Sequence, residues 1–178
     1  MKLLIVRHAI AEDRDAFRSR TGEADSLRPL IPKGVSRMKK AARGLARITG
    51  AVDLLACSPY VRATQTAALL RQQAGFPEAK EAVVLTPDRD PDECLVWLAG
   101  ERASLRPDGP EDREPVIAVV GHEPHLSRLI AWALTGRTEP LGELGKGGAC
   151  LLDFDGPPAA GSARLFWLVR PATLRELA

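Results

Sequence analysis

The 178-residue chain predicts an α/β fold: a three-layer α/β/α sandwich on a mainly parallel central sheet. Three observations carry this. Short apolar runs alternate with longer helix-favouring stretches. One run, residues 116–120 (VIAVV), is uniformly apolar, as a strand covered on both faces should be. The polar residues with chemical character, Arg7, His8, Ser58, Arg62 and His122, follow such runs. In sheets of this kind that rim is where ligands bind.

The elements follow in order. Residues 3–6 (LLIV) read as a buried strand that delivers Arg7 and His8. Residues 11–28 turn to Glu, Asp, Arg, Ser, Thr and Gly, the composition of a charged surface loop with a short helical turn at most. Pro29 and Pro32 hold the next stretch out of helix. A helix then opens at Lys33 or Gly34 and runs to about Thr49, with Gly50 as its stop. Residues 52–57 (VDLLAC) are a second strand. Pro59 suits the first turn of the helix that follows, which carries Arg62 and Thr66 and ends near Gly75. Residues 82–85 read as a third strand, and a helix begins near Pro91. Residues 106–114, rich in Pro, Gly and charge, read as an exposed connection. After the 116–120 strand, Gly121-His122 leads to a helix from about Pro124 to Thr135. A polar, Gly-rich loop over 141–148 precedes two last strands, 150–154 and 164–169. One domain over residues 1–178 is expected.

Composition narrows the function. Apolar residues make up 45% and charged residues 27%, ordinary values for a globular protein. A net charge of +2 is too small, and too little concentrated, for a nucleic-acid binder, and the aromatic residues lie outside any basic stripe. No stretch is long enough to cross a membrane, and the first apolar run is too short for a signal peptide, so a cytoplasmic location is expected. Cys57, Cys94 and Cys150 are odd in number and widely spaced, which supports neither a disulfide framework nor a zinc ribbon. His122 and His125 form an HxxH without a convincing third ligand, so no metal and no cofactor are expected. Nothing signals a coiled coil, and a monomer is expected.

The rim residues suit phosphoryl transfer. Its transition state is loose and heavily charged, so catalysis is mostly positioning plus cationic stabilisation. Arg7 and Arg62 offer two planar forks for phosphate oxygens. A neutral His8 can act as nucleophile and take the phosphoryl group covalently. His122, when protonated, can donate to a phosphate oxygen. Helix starts near Pro59 and Pro124 add anion-binding dipoles. Arg18, Arg20 and Arg28 lie in the 11–28 segment, either as plain surface charge or as a rim for a protein partner.

Three ordered motifs resemble the histidine phosphatase superfamily. Arg7-His8-Ala9 is similar to its RHG signature. Residues 58–67 (SPYVRATQTA) resemble its second-arginine motif, and Val120-Gly121-His122-Glu123-Pro124 resembles its second-histidine motif. Within the superfamily the chain looks most like the short SixA-type phosphohistidine phosphatases, because residues 28–34 (RPLIPKG) resemble their RPLTPKG segment. Residues 146–149 (KGGA) resemble a loop before a late strand in these small members. The resemblance implies His8 as nucleophile, Arg7, Arg62 and His122 around the phosphate, and a three-layer α/β domain that acts without a metal.

The pattern is not followed everywhere. Ala9 replaces Gly, Ile31 stands where Thr is usual, and Glu123 stands where Asn is common in this branch. Arg28, Ser58 and Glu123 are expected at the substrate; Glu123 beside His122 would raise that histidine's basicity or repel an anion. No proton donor to a leaving oxygen can be placed; Glu12, Asp13 and Glu123 are the candidates. The missing donor favours a phosphoramidate, whose protonated imidazole leaves more easily than an alkoxide. The expected reaction is therefore dephosphorylation of phosphohistidine on a protein partner. Hydrolysis of a small phosphomonoester or phosphoanhydride is the alternative, and a non-catalytic anion-binding module a remote one.

Overall fold

A computed structural model describes residues 1–105 and 113–178. Its six strands are β1 (Lys2–Arg7), β2 (Leu54–Cys57), β3 (Ala79–Glu81), β4 (Val116–Gly121), β5 (Ala149–Phe154) and β6 (Ala163–Val169). They form one sheet in the order β3-β2-β4-β1-β5-β6. The pairings of β1 with β4, β2 with β4 and β2 with β3 are parallel; β5 pairs antiparallel with β1 and with β6. The expected mainly parallel sheet is present, with an antiparallel pair at one edge.

Six α-helices are described: α1 (Arg14–Thr21), α2 (Pro32–Thr49), α3 (Val61–Ala74), α4 (Pro91–Ser104), α5 (His125–Thr135) and α6 (Pro171–Glu176). They cover the sheet on both sides. Alternation along β1 shows why both layers are needed. Leu4 and Val6 point into a core shared with α2, α3 and α6, whereas Leu3 and Ile5 point into one shared with α4 and α5. Every residue of β4 is buried, as its apolar run requires. Among the described residues no helix is long and apolar enough to cross a membrane.

Several boundaries depart from the sequence expectation. The 11–28 segment contains a two-turn helix, α1, and a 3₁₀ turn at Asp25–Leu27. Asp13 caps α1 by accepting from the N–H groups of Asp15 and Ala16, Gly22 ends it at φ 71°, and Phe17 is its one buried residue. Residues 83–85 are not a strand. The ladder with β2 uses Ala79–Glu81; the Ala82 N–H then bonds the Cys57 carbonyl and the chain turns into a 3₁₀ helix. Helix α3 begins at Val61, two residues after Pro59, because Ser58 Oγ accepts from the Tyr60 N–H at 3.3 Å and holds that stretch as a turn. Helix α6 was not expected. Residues 106–112 of the expected connection lie outside the described residues. The three cysteines are buried and unpaired.

Topology makes the rim. Strands β1 and β4 are parallel neighbours, yet the helices that follow them, α2 and α5, lie on opposite faces of the sheet. The chain therefore parts at the carboxyl ends of these two strands, the position at which sheets of this kind bind ligands.

Candidate active site

His8 leaves the end of β1 with its backbone fixed from two sides. Its N–H donates to the Gly121 carbonyl at 3.0 Å, and its carbonyl accepts from Gly147 at 3.2 Å. The imidazole is 5% exposed, and Nδ1 lies 2.7 Å from the Ala9 carbonyl. A carbonyl can only accept, so Nδ1 carries the proton and Nε2 keeps its lone pair. Burial, with the nearby charges of Arg62, Arg7 and Arg28, pushes His8 down to about 3, against the opposing pull of the Ala9 carbonyl. The ring is therefore neutral near neutral pH, the state a nitrogen nucleophile needs.

The Ala9 N–H donates to Thr66 Oγ1 at 3.0 Å, and the same hydroxyl donates to the Arg62 carbonyl at 2.7 Å. One fully buried hydroxyl thus joins the loop after β1 to the first turn of α3. Ile10 completes the loop against α2: a Cβ on Gly34 would lie 2.0 Å from the Ile10 carbonyl oxygen, so only glycine permits this approach.

The arginines converge here under tight restraint. Arg7 donates from Nη1 to the Leu144 carbonyl at 2.7 Å. Arg62 is 2% exposed and donates from Nη1 to the Asp25 carbonyl at 2.8 Å, with Nη2 3.0 Å from Asp25 Oδ2. Arg28 donates from Nε to Asp25 Oδ1 at 2.8 Å and from Nη1 to the Glu12 carbonyl at 2.6 Å. Burial raises Asp25, but the Arg28 hydrogen bond and the charges of Arg62, Arg28 and Arg14 outweigh it and hold the carboxyl below its ordinary range.

His122 lies against His8 and against Tyr60, with ring centroids 5.0 Å apart in both pairs, and the Arg62 guanidinium sits 4.9 Å from the Tyr60 centroid. Burial, then Arg62 and His8, pushes His122 down to about 2. The protonated form expected from sequence is disfavoured in this setting; a neutral ring still offers one N–H. Both ring nitrogens of His122, Arg7 Nε and Arg62 Nε are buried and make no hydrogen bond to the protein. Buried polar atoms are rarely left so, and three of these four are N–H donors, since a neutral ring carries one. Their grouping beside His8 suits an anion.

The other expected residues divide. Arg28 is in the cluster. Ser58 is fully buried, and its hydroxyl serves the turn before α3. Glu123 faces the scaffold: Oε1 accepts from the Leu144 N–H at 2.9 Å, and Oε2 accepts from the Ser127 N–H at 3.3 Å and from its hydroxyl. Glu12 pairs with Arg20, and Asp13 caps α1. Arg18 and Arg20 stand exposed on α1. Sequence reasoning missed Asp25 and the bridging role of Thr66. His125 is buried, and among the described residues no three His, Cys, Asp or Glu side chains gather as metal ligands.

A buried imidazole among guanidinium groups, at the switch point of a three-layer α/β sheet, is an arrangement suited to an anion such as a phosphoryl group. The family model described as histidine phosphatase superfamily (branch 1) matches residues 3–85. An uncharacterized protein of Picosynechococcus sp. is 32% identical over 139 residues, 76% of each chain. The chain belongs to the histidine phosphatase superfamily, and it is a phosphatase of that superfamily. Its fold is that of the SixA-type members: a protein histidine phosphatase SixA complexed with tungstate superposes with a TM-score of 0.78 at 23% identity, over 98% of this chain and 99% of that one. A mycobacterial glucosyl-3-phosphoglycerate phosphatase complexed with inorganic phosphate shares the fold at a TM-score of 0.66 and 18% identity, over 96% and 98% of the two chains.

Proposed function

We propose that this phosphatase hydrolyses phosphohistidine carried on a protein, by way of a phosphoryl group on His8. The observation that carries the reading is the hydrogen bond from His8 Nδ1 to the Ala9 carbonyl, which leaves Nε2 as the attacking atom. Its lone pair forms the new P–N bond while the bond from phosphorus to the substrate imidazole breaks and its electrons leave with that ring. Water then attacks phosphorus, the Nε2–P bond breaks, and inorganic phosphate departs. Arg7, Arg62 and Arg28 stabilise the oxygens throughout, and the neutral His122 donates one N–H.

The carboxylates around the site bear on the leaving group. Glu12, Asp13, Asp25 and Glu123 are each committed to an arginine, a helix cap or a backbone N–H. None stands ready to protonate an alkoxide, so a leaving group that departs already protonated is favoured. A small phosphate ester is the second reading, favoured by the shared fold of the mycobacterial glucosyl-3-phosphoglycerate phosphatase.

The test compares phosphate release from a phosphohistidine protein and from an aryl phosphomonoester, with the wild type and His8→Ala. Preference for the first substrate and no turnover by His8→Ala are expected. Turnover by His8→Ala sinks the nucleophile; preference for the ester moves the function to small-molecule phosphates.

A further inference from the structure

We infer that Asp25 is the positioning residue of this site: its carboxylate gathers Arg28 and Arg62 into one oxyanion-gripping pair. The inference rests on the reading above of those arginines as phosphate ligands.

Arg28 and Arg62 are buried, 8% and 2% exposed, and each raises the electrostatic cost of the other; Arg28 is among the charges that push Arg62 down. Two such cations do not share a buried site without an anion between them. Asp25 supplies it from the 3₁₀ turn. Oδ1 takes Nε of Arg28 at 2.8 Å, Oδ2 takes Nη2 of Arg62 at 3.0 Å, and the Asp25 carbonyl takes Nη1 of Arg62 at 2.8 Å. Arg62 is thus fixed by two bonds to one residue, which sets the plane of its guanidinium and leaves its buried Nε without a protein partner.

The charges also match. Arg7, Arg28 and Arg62 bring three positive charges and Asp25 one negative, while His8 and His122 are held neutral. The remainder is two positive charges, the complement of a phosphoryl dianion. Arg14, 69% exposed at its side chain and 3.2 Å from Asp25, is a solvent-screened addition.

This role predicts a sign opposite to simple electrostatics. Removing a negative charge near an anion site should tighten anion binding by Coulomb attraction alone. If Asp25 positions the arginines, Asp25→Asn weakens binding instead, because the two forks swing apart.

The experiment measures the inhibition constant of inorganic phosphate, and kcat and KM on an aryl phosphomonoester, for wild type, Asp25→Asn, Asp25→Glu, Arg62→Ala and the double variant Asp25→Asn/Arg62→Ala. Thermal unfolding of each is recorded alongside. Asp25→Asn is expected to weaken phosphate and lower kcat/KM by about tenfold to a hundredfold, the effect of a misplaced ligand group. Asp25→Glu should recover part of the loss. In the Arg62→Ala background the same change should add little, since coupled residues are not additive. Phosphate that binds Asp25→Asn as tightly as wild type, or tighter, overturns the inference, as does a fully additive double variant. Should Asp25→Asn not fold, Asp25→Glu decides: loss of phosphate affinity in a folded protein supports positioning, and wild-type affinity overturns it. Arg62→Ala with unchanged turnover refutes the phosphate-site reading itself, and the inference falls with it.

Discussion

Lowering the pH from about 7 to about 5 should weaken the fold severely, and the three histidines say why. Burial is the leading cause that pushes His8, His122 and His125 down from 6.5, to about 3, about 2 and about 4. In the unfolded chain each takes a proton as pH falls through 6.5, while the native rings stay neutral. The unfolded state then binds more protons, so stability that is complete above 6.5 drains away as pH drops toward the native values. Each histidine contributes about 1.4 kcal/mol per pH unit inside that window, which gives roughly 2 kcal/mol per ring at pH 5. The three together reach about 6 kcal/mol, a large part of the 5–15 kcal/mol typical of a folded domain. Asp25 adds nothing here: a carboxyl held below its ordinary 3.8 loses its contribution only in stronger acid. Urea unfolding at pH 7, 6 and 5 measures the effect directly. A free energy of unfolding that changes by less than about 1 kcal/mol over this range would refute the claim that the three rings are buried neutral.

Two further substitutions probe the scaffold behind the site. Thr66→Val keeps shape but strands the Ala9 N–H, and should cost about 1–3 kcal/mol in unfolding free energy along with turnover, whereas Thr66→Ser should restore both; equal loss in the two variants would refute the hydroxyl bridge. Glu123→Ala frees the Leu144 N–H, and with it the carbonyl that holds Arg7, so kcat/KM should fall about tenfold or more while Glu123→Gln, which keeps Oε1 as an acceptor, stays near wild type. Steady-state kinetics of the two Glu123 variants side by side decide it: matched losses would show that the charge, not the acceptor, matters.

What could be read from sequence was whatever depends on near neighbours. Helices α2 and α3 announce themselves by their glycine stops at Gly50 and Gly75, α5 by its place after the Gly121-His122 strand end, and β4 by an unbroken apolar run. Helix α1 is obscured because it buries only Phe17; its order comes from the Asp13 cap and Gly22, signals easily taken for loop chemistry. The misplaced third strand has the same root. Val83, Val84 and Leu85 carry strand-like side chains, but the edge ladder needs only three residues and uses Ala79, Lys80 and Glu81 before them. At the site, Arg7, His8, Arg62 and His122 stand out because each closely follows a strand. Asp25 and Thr66 do not, since their roles consist of bonds to residues 37 and 57 positions away along the chain. No local pattern marks an aspartate as the counter-ion of a distant arginine.

The site also resolves a conflict built into its chemistry. A phosphate pocket needs fixed positive charge, while a nitrogen nucleophile needs to stay uncharged among those cations. One environment meets both demands because burial disfavours the charged form of both groups, but their ordinary pKa values start far apart. Burial pushes His8 down from 6.5 to about 3, leaving it neutral, whereas Arg62, also pushed down, starts at 12.5 and keeps its proton. The guanidinium groups in turn deepen the shift on His8. The cations that hold the phosphate thus keep the attacking lone pair free, and Asp25 keeps the cations together. On this argument the nucleophile and its anion clamp are one electrostatic unit, and a change in either is felt by both.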